Sequence, residues 1–132
     1  MIKTDGIPPK LTGHICEELL CQQYWYHGRL EKEVDVLFIK ADQRWHQLYF
    51  ENGVIFWRPQ SEPPVPYQHK EEDPFRYPLL DLGEQHGIKG QLITDCTNEP
   101  MIEGAKITLF FESSGKIVLI HQDNQTHIQY VK

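Results

Sequence analysis

The chain is poor in the features that usually disclose a chemistry. Among its 132 residues there are three cysteines, Cys16, Cys21 and Cys96. They form no CxxC, and an odd number is a weak basis for a disulfide framework. No HxH or HExxH occurs among the seven histidines, so no metal site is expected. There is no GxSxG and no Gly-rich phosphate loop: GEQHGIKG, residues 83–90, has spaced glycines without the following Lys-Ser/Thr pair. No apolar run approaches the roughly 18 residues of a membrane span, and MIKTDGIPPK lacks the apolar stretch of a signal peptide. A cytoplasmic protein without membrane contact is the expectation. Positive charge is also scarce. The formal net charge is -6, which repels a phosphate backbone and argues against nucleic acid.

The candidate catalytic groups are correspondingly thin. Ser61, Ser113 and Ser114 fall in turns or a linker, and Glu17, Glu18 and Asp35 are ordinary members of an acidic chain. The reading is therefore a non-enzyme with no cofactor. Cys16 and Cys21 stand five apart, which on a regular strand places them on opposite faces and leaves them as small half-buried side chains. His46, His121 and His127 read as polar residues at strand ends. Pro63-Pro64-Val65-Pro66 contains a PxxP without a suitably spaced basic flank, which reads as a crossover rather than an SH3 ligand.

What the chain does have is aromatic, alternating sequence. WHQLYFENGVIFWR, residues 45–58, surrounds Asn52-Gly53, the strongest short hairpin signal. A two-residue type I′ loop there pairs Glu51 with Val54, Phe50 with Ile55, Tyr49 with Phe56 and Leu48 with Trp57. One face then carries His46, Leu48, Phe50, Ile55 and Trp57 toward a core. The other carries Trp45, Gln47, Tyr49, Glu51, Val54, Phe56 and Arg58. The run Val34 to Lys40 alternates too, and a turn over Ala41 to Arg44 joins it to Trp45. KITLFFESSGKIVLIHQ, residues 106–122, predicts a second hairpin around Ser113-Ser114-Gly115, with Gly115 left-handed, Phe111 opposite Ile117 and Glu112 opposite Lys116. Asp123 to Gln125 turn the chain into a last strand, Thr126 to Val131.

The two halves resemble each other. LTGHICEEL from Leu11 and IKGQLITDC from Ile88 each place a glycine two residues before an aliphatic, and strands and a hairpin follow each. This points to repeated β units at about 11–58 and 88–131. The parallel also favours a strand over a helix for residues 14–26. Between the units, residues 59–80 hold six of the nine prolines. Proline cannot donate to a ladder, so this segment reads as a crossover rather than a sheet. Tyr67, Phe75 and Tyr77 imply that it lies against the body. The expected architecture is a single all-β or β-rich domain, a curved sheet, sandwich or partly open barrel.

Trp45, Tyr49, Phe56 and Arg58 are the candidate partner-binding residues. Three large aromatics on one face offer roughly 450–750 Å², more than a free surface usually shows, so either the proline-rich segment of the chain covers this face or a partner does. In size, charge and the W-x-x-L-x-F-x-x-G pattern of Trp45 to Gly53, the chain resembles small acidic β-rich bacterial proteins of uncharacterised or immunity-protein type. The resemblance covers hairpin character and carries no functional residue. The net charge of -6, the absence of a catalytic motif and the aromatic area lead to the expectation of a non-catalytic binding protein, one that neutralises a basic protein such as a bacterial toxin. The alternative is a small-ligand carrier or enzyme with a pocket in the curved sheet.

Overall fold

The computed structural model describes residues 3–113 and 115–132. Its strands are β1 (Lys3–Asp5), β2 (Cys16–Tyr26), β3 (Arg29–Ala41), β4 (Arg44–Glu51), β5 (Val54–Gln60), β6 (Phe75–Arg76) and β7 (Leu79–Asp81). A single helical turn, α1 (Leu82–Gln85), precedes β8 (Ile93–Met101), β9 (Gly104–Phe111), β10 (Lys116–Gln122) and β11 (Gln125–Val131). The first seven strands form one sheet in the order β1-β5-β4-β3-β2-β6, with β7 also on β2. The last four form a second sheet, β11-β10-β9-β8. Each sheet is built on a four-stranded antiparallel meander, β2 to β5 and β8 to β11. The fold is all-β, as the alternation predicts.

The predicted hairpin at Asn52-Gly53 forms in the predicted register. Both turn residues have positive φ, 51° and 75°, as a type I′ turn requires. The inner face of the first sheet carries a cross-strand row of Cys21, Leu37, Leu48 and Trp57. All four are buried. The second sheet supplies Ile107, Leu109, Phe111, Ile117 and Leu119 to the same cluster. Two sheets with one apolar face each bury those faces against each other, which makes this a β-sandwich.

Three local expectations are corrected. The β9–β10 register sets Leu109, not Phe111, opposite Ile117, and Phe110 opposite Lys116. The slip is two residues, so the same side chains still face the core. It arises because the Phe111 N–H bonds to the Gly115 carbonyl and the Glu112 N–H bonds across to Leu92. Glu112 therefore does not pair with Lys116, whose ammonium lies 5.6 Å from the Phe110 ring centre. Gly115 is left-handed as expected, with φ 58°; Ser114 lies outside the described residues. Second, a β-bulge between Cys16 and Glu18 resets the alternation. Cys16 and Cys21 both enter the core. Third, the proline-rich crossover contributes to the sheet, because β6 and β7 pair along the edge of β2.

The two sheets are tied at one corner by a short antiparallel pairing centred on an Ile15–Leu92 bridge. The Gly13 N–H bonds to the Ile93 carbonyl and the Gly90 N–H to the Cys16 carbonyl, both at 2.8 Å. Cys16 N–H reaches Gln91 at 2.8 Å and Ile93 N–H reaches His14 at 2.9 Å. Matching Gly13 to Gly90 maps each bond on to its equivalent. The two glycines share a backbone conformation, φ 88° and 90°. A bulge like that after Cys16 recurs between Ile93 and Asp95. The corner thus has local two-fold symmetry.

Candidate binding surfaces

The outer face of the first sheet carries the sequence-predicted residues, but they are unequally available. Trp45 is only 5% exposed and stands outside the inter-sheet cluster. Its neighbours across the strands are Lys40 and Gln60, and the Lys40 ammonium lies 6.0 Å from its ring centre. Long side chains on a pleated face can cover a neighbouring ring with their methylene stems. Tyr49 and Phe56 are half-buried and stack at 5.0 Å with planes 4° apart. Arg58 lies over the Phe56 ring, while its guanidinium donates to Asp5 at 2.6 Å and to the Trp57 carbonyl at 2.9 Å. The structure therefore brings Tyr49, Phe56 and Arg58 together, with Trp45 sunk into the same face. Arg58 already has its carboxylate.

A more open aromatic surface lies where the crossover rejoins the sheet. β5 ends beside Trp45, and the chain returns at Phe75, paired with Tyr26 at the far end of β2. Asp73 organises the returning loop. Its carboxylate accepts from the Lys70 N–H at 3.2 Å and faces the Tyr67 hydroxyl at 3.4 Å. The loop's aromatics then pack on one another and on the sheet: Tyr77 stacks on Tyr24 at 5.1 Å, and Tyr67 meets Tyr77 edge-on at 5.2 Å. Burial, then the charge of Asp35, raises the Tyr77 pKa. That phenol stays neutral at physiological pH.

Between this loop and the β2–β3 turn lies a groove of about 520 Å³, lined by Trp25, His27, Tyr67, Asp73, Arg76 and Tyr77 among others. Tyr67 is 41% exposed and neighbouring Tyr26 is 38% exposed. The Trp25 indole donates to Gln23 at 3.0 Å, which fixes the ring. The His69 Nε2, also in the lining, is buried without a hydrogen-bond partner among the described residues. Glu71 and Glu72, exposed, sit at the loop tip beside Asp73. The arrangement can clasp an extended or planar group by ring contact, with polar side chains to orient it. Sequence reasoning named Tyr67 and Tyr77 as docking residues but missed the groove. Trp25, the third ring, sits in a stretch whose strand assignment was open.

The titratable groups favour no nucleophile. Burial, then Glu17, pushes the Cys16 thiol up to about 12. Burial, then Glu33 and Asp35, does the same for Cys21, to about 12. Cys96 rises to about 11 through burial and Asp95. Activation would require the opposite shift. Glu17 caps the Gln43 N–H at 2.6 Å, and Asp35 accepts from Gln22 at 2.8 Å. Their oxygens serve the fold. His121 is not a rim residue: it is buried, stacks on Phe50 at 4.8 Å and shares a hydrogen bond with Thr126 at 2.8 Å. His127 lies 3.5 Å from Glu33, which also accepts from the Ile128 N–H of the edge strand. Among the described residues no three His, Cys, Asp or Glu side chains converge as metal ligands, and no helix is long and apolar enough to cross a membrane.

Comparison with family models, with curated proteins and with solved structures finds no match.

Proposed function

We propose that this chain is a non-catalytic binding protein that takes a basic protein partner, with the aromatic groove beside the crossover loop as the anchor. The observation that carries the reading is the groove itself: Trp25, Tyr67 and Tyr77 in one lining, with Tyr67 41% exposed. Aromatics partly open to solvent beside a sheet edge are the residue type that supplies contact energy at interfaces. The carboxylates at the loop tip, together with a net charge of -6, steer a cationic partner and raise its association rate. A basic toxin is the partner class that this combination of acidic surface and aromatic anchor would suit. The Tyr49–Phe56 pair forms a second, smaller contact area.

The test uses synthetic Lys/Arg-rich peptides, one set with aromatic or proline anchors and one without, at low and high salt. Anchored basic peptides should bind, association should slow at high salt, and Tyr67→Ala should weaken binding by about 1.4 kcal/mol or more, roughly tenfold. Equal binding to wild type and Tyr67→Ala, or no preference for the anchored set, would remove the groove from the reading.

A further inference from the structure

A second cavity, at the opposite end of the first sheet, has the wrong sign for a protein so acidic. It measures about 640 Å³ and lies between the N-terminal segment, the β3–β4 turn and the end of β5. Its lining gathers Lys10, His14, Arg44, His46, Trp57 and Arg58. Asp42 is the one carboxylate among the residues that line it. Ile7, Pro9 and Pro59 supply apolar wall.

The cations in this pocket are not equivalent. Arg58 is bound to Asp5 at 2.6 Å. Lys10 and Arg44 have no ion-pair partner among the described residues, although the chain offers acidic groups in excess. Both are exposed, so neither is held there by burial. Burial, and then the charge of Arg44, holds His46 below its ordinary pKa. Trp57, one of the lining residues, carries an unanswered donor within the fold. Trp57 is 2% exposed, and its indole N–H is buried with no acceptor among the described residues. A buried donor without a partner is costly, and such sites are few in native proteins.

We infer that this pocket binds a small organic anion, an oxyanion head on an apolar body, with Lys10 and Arg44 meeting the head. Arg offers a planar fork matched to carboxylate or phosphate, and Lys adds a mobile point charge. The apolar wall at Ile7, Pro9 and Pro59 receives the body of the ligand, in keeping with sites that combine mostly apolar lining with a few placed polar groups. This site is independent of the aromatic groove and would survive the loss of the protein-binding reading.

The probes are phenyl phosphate, benzoate and the neutral phenol, titrated into the full chain and followed by ¹H–¹⁵N correlation spectra. Saturable shifts confined to residues 6–10, 41–46 and the Trp57 indole N–H are expected with an anion and not with phenol. Preference for phenyl phosphate or for benzoate assigns the head group, and either result supports the site. Arg44→Gln and Lys10→Gln change exposed residues, so the fold should persist, and each should weaken binding about tenfold. The inference is overturned if no anion saturates the site below about 10 mM, if phenol binds as well as the anions, or if both variants bind as the wild type does.

Discussion

Gly13 and Gly90 offer a test of the corner that ties the two sheets together. Each has φ near 90°, and an alanine Cβ at either position would meet nothing within 4 Å. The cost of Gly→Ala is then a backbone cost alone, without a steric term. Holding an L-residue at positive φ costs about 1–2 kcal/mol. In a chain of this size each kilocalorie corresponds to roughly 3–5 °C in Tm. Gly13→Ala and Gly90→Ala should therefore be destabilised equally, within about 0.5 kcal/mol of each other. The double variant should depart from the sum, because both glycine N–H groups belong to one four-bond set and coupled sites interact by about 0.5–3 kcal/mol. Urea unfolding at constant m-value is the assay. D-alanine introduced at either position by semisynthesis should restore most of the loss, since its favoured φ is positive. Single-variant costs differing by more than about 1 kcal/mol, or a D-alanine variant as unstable as the L-form, would refute the symmetric corner.

Further outcomes follow from burial and charge. Leu48→Ala, at the centre of the Cys21, Leu37, Leu48, Trp57 row, should cost about 2–5 kcal/mol in the same urea assay. Burial lowers the pKa of His121, and burial with Arg44 lowers that of His46. Both are neutral in the fold, so their stability contribution is complete above the unfolded value near 6.5 and is lost as pH falls through the folded values; denaturation between about pH 7.5 and 5.5 should show that loss, and His121→Gln should reduce its slope without abolishing it. Native protein should react slowly with a thiol reagent at pH 8, since all three thiols lie well above that pH, and rapid labelling of Cys16 or Cys21 would contradict the core assignment. Tyr49→Ala should weaken binding of a basic peptide less than Tyr67→Ala does, because Tyr49 is half-buried whereas Tyr67 is exposed in the groove lining.

The legible part of this fold was the part fixed by neighbours in sequence. Alternation around Asn52-Gly53 gave a hairpin and its register, because turn type and pleat determine both. The turns at His27-Gly28, Asp42-Gln43 and Asp123-Asn124 use the same positive-φ pair, yet only one of these dipeptides ends in glycine, and Gln43 is an unusual occupant of that conformation. The β9–β10 slip was hidden because a shift of two residues leaves the hydrophobic pattern unchanged. The bulges at Cys16–Glu18 and Ile93–Asp95 were hidden for the complementary reason: one extra residue reverses the faces downstream, and no side chain marks where it sits.

Surface availability was less legible still. Alternation assigns Trp45, Tyr49 and Phe56 to one face correctly, but it cannot say that Lys40 and Gln60 flank Trp45 or that Asp5 answers Arg58. Those are contacts between distant segments. Tyr67 and Tyr77 stood out as aromatics in a proline-rich crossover, and that anomaly was the sequence's real pointer to a surface. Their meaning depended on where the crossover lands. Proline excludes long ladder pairing, which made the segment read as linker. It does not exclude two- and three-residue strands beside prolines, and β6 and β7 are of that length. By docking on β2 they cover an edge that would otherwise be open to pairing with another chain. The same docking holds Tyr67 and Tyr77 beside Trp25, so the device that protects the sheet edge also builds the groove.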